Sequence, residues 1–151
     1  MTPERDGFAG IFPVTLIDAG VLSADSTLII IDLLDYHAAT ILLAIGIGGI
    51  TFTGTNKIEF VLKHGSASDG SDAAAVTDAD VIKDANAPAT ITNGIIRSLV
   101  AAHAAADLQK LGYVGGKRYL SLLADFSGTH GTGTPIYATA VRGRAALRGT
   151  A

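Results

Sequence analysis

The 151-residue sequence predicts an all-β fold, a β-sandwich of jelly-roll or immunoglobulin-like topology with short helical turns. Short runs of β-branched and apolar residues recur along the chain, and clusters of Gly, Ser, Asp and Pro separate them. Their spacing of roughly 8–12 residues is typical of sandwiches and barrels. Apolar residues make up 48% of the chain and Cys is absent, so core packing without disulfides has to hold the fold.

The first residues of the sequence differ from the segment that follows. Pro and Gly interrupt them, so we expect residues 1–13 to form an extended arm. The candidate anchors of this arm are three apolar side chains: Phe8, Ile11 and Phe12. We expect the sandwich domain over residues 14–142 and a basic tail over residues 143–151. The sequence leaves open whether the arm docks on its own domain or on a neighbouring chain.

Three strands are predicted in the first half of the chain. Residues 27–32 and 37–47 are rich in Ile, Leu, Ala and Thr, and glycines end the second run. Residues 57–64 alternate, with Ile58, Phe60 and Leu62 on one face of the strand. The Ser-, Asp- and Gly-rich stretch that follows predicts a hairpin tip or loop over residues 65–72.

The second half of the chain contains one ambiguous segment. Residues 77–80 are expected to form a capped helical turn, and strands are predicted over residues 117–126 and 135–142. In residues 95–111, strand-like ends flank an Ala-rich stretch of strong helix formers. We favour two strands joined at the Ala-rich stretch, and a helix over this segment is the alternative.

The segment from Gly112 to Leu120 is the most distinctive part of the sequence. It combines a strand end, two adjacent glycines and a new strand that opens with Lys117 and Arg118. A phosphate-binding loop needs a hydroxyl residue after its Lys and then a helix, and the sequence predicts neither. We therefore interpret Gly115-Gly116 as a hairpin turn that uses the tolerance of Gly for positive φ.

Arg118 is expected to share an apolar strand face with Leu120 and Leu122. Because an unpaired buried charge is costly, we expect a structural salt bridge to an Asp of the first half of the chain. The alternative is that Arg118 contacts a partner protein.

No constellation in the sequence predicts a reaction. The four histidines are scattered without paired ligand spacing, and the Asp-rich stretches lack the full ligand set of a calcium loop. No catalytic residue, metal site or cofactor is therefore expected.

The N-terminus lacks the pattern of a signal peptide, and the apolar runs are too short to cross a bilayer, so no membrane partner is expected. Aromatic residues make up 6% and Trp is absent, so no specific nucleic-acid partner is expected either.

Charge is sparse and unevenly placed. Charged residues make up 17% of the chain, below the usual ~25%, which predicts that a partner covers part of the surface. Residues 1–75 carry 3 Lys or Arg and 9 Asp or Glu, a net charge of −6, whereas residues 76–151 carry 8 and 5, a net charge of +3. This split suits a head-to-tail ring of copies, or it has no role. Three further candidate contacts lie near the C-terminus: Arg142, Arg144 and Arg148.

Several segments together resemble small virion proteins of tailed bacteriophages and prophages. They are an early strand ending at Gly46, the Lys57–Phe60 strand opening, the Ser/Asp-Gly stretch 66–72, Val76–Val81 and Gly112–Tyr119. The resemblance covers about residues 20–142, and it has no clear match for the arm or the tail.

The resemblance implies a capsid decoration, or cement, protein without catalytic residues. Its implied partners are the major capsid protein and copies of itself, with a trimer expected. The implied location is the virion, after synthesis in the host bacterial cytoplasm. A head–tail connector or tail component, and a glycan-binding sandwich on the virion surface, remain alternatives.

Overall fold

The computed structural model describes residues 10–145, and its strands confirm the all-β prediction. In chain order the ten strands are β1 (Ile11–Leu22), β2 (Ile30–Asp32), β3 (Tyr36–Ile45), β4 (Lys57–Gly65), β5 (Ala74–Ala75), β6 (Val81–Ile82), β7 (Ile95–Leu99), β8 (Asp107–Tyr113), β9 (Tyr119–Ser127) and β10 (Thr134–Ala145). A 3₁₀ turn, Asp78–Asp80, precedes β6. Its Asp80 carboxylate accepts hydrogen bonds from the backbone and side chain of Thr77, which confirms the predicted capped turn.

The strands form two antiparallel sheets. Sheet A has the order β1-β10-β3-β8-β6, and sheet B has the order β2-β9-β4-β5, with β7 also paired to β4. Within these sheets the first strand pairs with the last, β2 with β9, β3 with β8, and β4 with β7. The fold is thus one long two-stranded ladder rolled into a sandwich. This is jelly-roll topology, so the structure selects the first of the two predicted topologies.

Alternation along the strands builds one core between the sheets. On β4, Ile58, Phe60 and Leu62 are fully buried, as their spacing predicts, and the residues between them face outwards. The opposing side chains come from sheet A, in particular from Ile41, Leu43 and Ile45 of β3. The remaining large contributors are Leu16, Ile17, Phe52, Ile96, Leu111, Leu120 and Leu122.

The ambiguous segment consists of two strands, β7 and β8, joined by an irregular stretch over residues 100–106. The two-strand interpretation of residues 95–111 is therefore confirmed, and the alternative helix is not formed in this segment. The Ala-rich stretch has good helix formers but no apolar stripe to bury, and tertiary pairing of its flanks overrides its propensity.

The ends of the described chain lie together. The first strand begins at Ile11, inside the predicted arm, and Ile11 pairs with Gly143 of β10. At the other terminus, Ala145 pairs with Tyr36 at the start of β3. The last strand thus continues three residues beyond its predicted end. The described chain therefore enters and leaves the sandwich at the same end.

Replacement of Phe60 by Ala is expected to lower the free energy of unfolding by about 3–5 kcal/mol, because its fully buried ring leaves a cavity between the sheets. Val61→Ala is the matched control, since Val61 is partly exposed on the opposite face of the same strand and is expected to lose less than about 1 kcal/mol. Urea denaturation measures both values. Equal losses would contradict the assigned faces of β4.

Candidate functional site

An open cleft of about 320 Å³ lies at the end of the sandwich where the described chain enters and leaves. Its walls are the two segments that carry the chain between the sheets, from β2 to β3 and from β8 to β9. We call this end the cleft end. Six of the lining residues determine its chemistry: Leu34, Asp35, Tyr36, Tyr113, Lys117 and Arg118.

The first wall is the tight turn between β2 and β3. The N–H of Tyr36 donates to the carbonyl of Leu33 at 3.0 Å, and Asp35 adopts a left-handed conformation with φ of 69°. Asp tolerates this region better than most residues because its short side chain bonds locally. The N–H of Leu33 donates to the carbonyl of Arg118 at 2.7 Å, so a backbone hydrogen bond joins the two walls.

The second wall corrects the predicted hairpin at Gly115-Gly116. β8 lies in sheet A and β9 in sheet B, so the glycines form a connection between sheets. Gly116 has φ of +72°, which explains one glycine. The other is required by space, because a Cβ at Gly115 would lie 2.8 Å from the ring of Tyr113 and 2.9 Å from Nδ1 of His64.

Tyr113 anchors this second wall. Its hydroxyl lies 2.8 Å from Nδ1 of His64 and accepts the backbone N–H of Lys117 at 3.1 Å. Burial raises the pKa of the Tyr113 phenol, so this group stays neutral at physiological pH. The hydroxyl is therefore a fixed hydrogen-bonding centre that positions the connection carrying Lys117 and Arg118.

Arg118 forms the salt bridge that the sequence predicts, with Asp32 as the Asp of the first half. Its Nε and one terminal nitrogen donate to the two carboxylate oxygens of Asp32 at 2.9 and 2.7 Å. The Arg118 guanidinium and the N–H of Leu34 hold the pKa of the Asp32 carboxyl below its ordinary value. The predicted buried position is wrong, because β9 begins at Tyr119 and Arg118 lies exposed just before it. Its guanidinium instead covers the Tyr119 ring.

Arg142 connects the cleft end to the first strand. It donates to the carbonyl of Asp32 at 3.1 Å and to the carbonyl of Phe12 at 3.3 Å. Its guanidinium lies 4.7 Å from the ring centre of Tyr36, and that ring lies 5.4 Å from the ring of Phe12. Arg142 therefore joins β10 to β1 and to the end of β2.

The structure brings four of the predicted interaction residues to the cleft end: Phe12, Lys117, Arg118 and Arg142. Ile11 is exposed at the start of β1, and the backbone of Arg144 belongs to β10. Phe8 and Arg148 lie outside the described residues. Within residues 10–145, Lys117 makes no ion pair, so it is the cation of the cleft with no carboxylate in contact.

Sequence reasoning missed the residues that organise these cations. Asp32 and Tyr36 flank one turn, but His64 and Tyr113 lie far from them and from each other in sequence, and strand pairing brings the four together. The available signals were Asp32 at the end of an apolar run and Tyr113 beside two glycines. Neither signal specifies a partner.

The cleft supports binding through a lysine ammonium, the outward side of a paired arginine and tyrosine rings. Among the described residues, no group of three or more His, Cys, Asp or Glu side chains is arranged to hold a metal ion. Within residues 10–145, no helix is long and apolar enough to cross a membrane. Comparisons of the chain with protein-family models, with curated proteins and with solved structures find no match.

Asp32→Asn is expected to cause a small decrease in thermal stability at neutral pH, because the exposed ion pair with Arg118 is lost. The folded-state pKa of Asp32 lies below its ordinary value of 3.8, so the contribution of the pair is complete above that value. It disappears as the pH falls through the lowered pKa. Melting temperatures of both proteins should therefore converge in strong acid.

Asp18→Asn is the control, since Asp18 is an exposed carboxylate that makes no ion pair within the described residues. We expect it to leave the melting temperature unchanged across the same pH range. The melting temperatures of the wild type and of Asp32→Asn could instead differ by the same amount in strong acid as at neutral pH. That result would mean that the charge of Asp32 does not stabilise the fold.

Proposed function

We propose that this chain is a virion protein of a tailed phage, of the capsid decoration type, and that its cleft end attaches it to the assembled shell. The supporting observation is that both ends of the described chain lie at the cleft end, beside the cations Lys117, Arg118 and Arg142. The described chain thus begins at Gly10 and ends at Ala145 on the same side of the sandwich as these cations. The sequence resemblance to phage virion proteins supports the same proposal.

Charge distribution supports an acidic partner surface. Arg118 is already neutralised by Asp32, whereas Lys117 is exposed and has no ion pair within the described residues. An exposed, unpaired cation favours approach of a negatively charged surface and makes the association sensitive to salt. The exposed Leu34 and Val114 at the rim of the cleft add apolar contact area.

A decoration protein stabilises the shell by mass action. A protein that binds the assembled shell and not its separated subunits lowers the free energy of the assembled state by about 2.7 kcal/mol per site at a hundred times its Kd. Because the lattice repeats the site, these contributions add over the particle. A rigid sandwich with a preformed cleft suits this role, since little order has to be created on binding.

Copy number separates this proposal from a connector or tail component, which is present in one ring per particle. Densitometry of purified particles measures the ratio to the major capsid protein. The glycan-binding alternative rests on the occurrence of jelly rolls in lectin domains, which is an analogy of fold only. Absence of signal on a glycan array would remove it.

The direct test is calorimetry of empty shells of the parent phage with and without this protein. Added protein is expected to raise the melting temperature of the shells. Lys117→Gln is expected to weaken shell binding, because it removes the unpaired cation of the cleft. Lys57→Gln is the matched control, since it also removes one lysine charge. Lys57 lies at the start of β4, at the end of the sandwich away from the cleft, and pairs with Glu59.

Equal melting temperatures with and without the wild-type protein would exclude the decoration role. Equal weakening by both lysine substitutions would leave decoration possible and would exclude the cleft end as the attachment site.

A further inference from the structure

The outer face of sheet A is apolar across its three central strands. Eleven positions of β10, β3 and β8 alternate with buried residues and face away from the core. They are Pro135, Tyr137, Thr139, Val141, Ala38, Thr40, Leu42, Ala44, Leu108, Lys110 and Gly112. Lys110 is the one charged residue among them. We call this set of side chains the sheet A face.

The register arranges these residues in rows across the sheet. Tyr137, Ala44 and Leu108 form one row, and Thr139, Leu42 and Lys110 form the next. On either side the face continues onto the exposed apolar side chains of Val21 in β1 and Ile82 in β6. Lys110 lies near the β6 side, so its long side chain can reach solvent at the rim.

The face is large enough to supply much of a protein interface. The four longer strands of sheet A, about 4.8 Å apart, span roughly 19 Å, and the strand from Pro135 to Val141 spans roughly 20 Å. The projected area is therefore about 380 Å², and the accessible area is larger because side chains roughen it. A standard interface covers about 800 Å² per partner, and the largest apolar patch on a monomer, about 300–600 Å², is often functional.

We propose that the sheet A face packs against the same face of a second copy around a two-fold axis. In such a contact each residue meets the equivalent patch, so like charges would oppose each other. The charged side chains stay at the rim, Asp18 on the β1 side and Lys110, Lys83 and Asp84 on the β6 side, so the centre of the face, on β10 and β3, contains no charge to be repelled. Specific contacts between different proteins instead use complementary charge patterns. The apolar character also matches homodimer interfaces, which are less polar than other interfaces.

The surface shape of the sheet A face suits packing against a second sheet. A shallow depression of about 530 Å³ lies over small residues, among them Ala19, Gly20 and Ala44, and Tyr137 borders it. Leu108, which is 60% exposed, projects from the adjacent strand and can enter such a depression in the partner. Sheets packed in this way lie about 10 Å apart, with side chains interdigitated.

The test is the mass of the free full-length chain by sedimentation equilibrium, which does not involve the shell. From low micromolar to near-millimolar concentration, the mass should rise towards twice the chain mass of 15.4 kDa. Leu108→Lys and Tyr137→Lys should each weaken dimerisation about tenfold or more, because each places a charge in the apolar contact. Leu28→Lys is the matched control, since Leu28 is 53% exposed in the loop between β1 and β2 and lies outside the sheet A face.

A monomer at every concentration would overturn the proposal and would leave the face to another occupant, either the shell or residues 1–9 of the same chain. A trimer would overturn the two-fold arrangement and would favour the three-fold association that the sequence resemblance implies. Dimers that Leu108→Lys and Tyr137→Lys leave intact, or that Leu28→Lys weakens equally, would place the contact elsewhere. Shell binding and dimerisation are separate measurements, so failure of either proposal is distinguishable from failure of the other.

Discussion

Pairing between the first and last strands is the constraint on which the rest of the structure depends. β1 pairs with β10 along most of its length, and this pairing has to form between residues that are more than a hundred positions apart. The remaining strands pair in the same nested order, β2 with β9 and β3 with β8, and this order is what makes the sandwich a rolled ladder. Both described ends of the chain are then fixed at the cleft end. The location of the candidate site is thus a consequence of topology, and local sequence does not set it.

Polar contacts at the cleft end link segments that the core alone does not hold together. Asp32 accepts from Arg118 through its carboxylate and from Arg142 through its carbonyl, so it connects β2 to the β8–β9 connection and to β10. Arg142 extends this network to Phe12 of β1. Individually these exposed contacts are weak. Together they hold the connection that carries Lys117 beside the described ends of β1 and β10.

The sequence was sufficient to predict the fold class and the faces of β4, because alternation along Ile58, Phe60 and Leu62 is a local property with one physical cause, burial of one strand face. It also predicted the pairing of Arg118 with an Asp, but from an expected burial that the exposed position of Arg118 does not bear out. It did not predict which Asp, nor that Gly115-Gly116 crosses between sheets, because both depend on strand pairing over long distances. For the same reason, Tyr113 and Tyr36 were not recognised as the residues that organise the cleft. The low charge content predicted a covered surface, and only the register placed the apolar residues on one face of sheet A.

We therefore propose that two surfaces with different chemistry bind different partners: the polar cleft end, which carries Lys117, binds the shell, and the apolar sheet A face binds a second copy. The most direct measurement of the central claim is a cryo-electron-microscopy reconstruction of decorated shells at a resolution that separates β-strands. If the cleft end attaches the protein to the shell, the β2–β3 turn and the connection carrying Lys117 lie against the shell. The loops around Phe52 and His130 then point to solvent. A reconstruction with the opposite orientation, or with the cleft end exposed, would contradict the account.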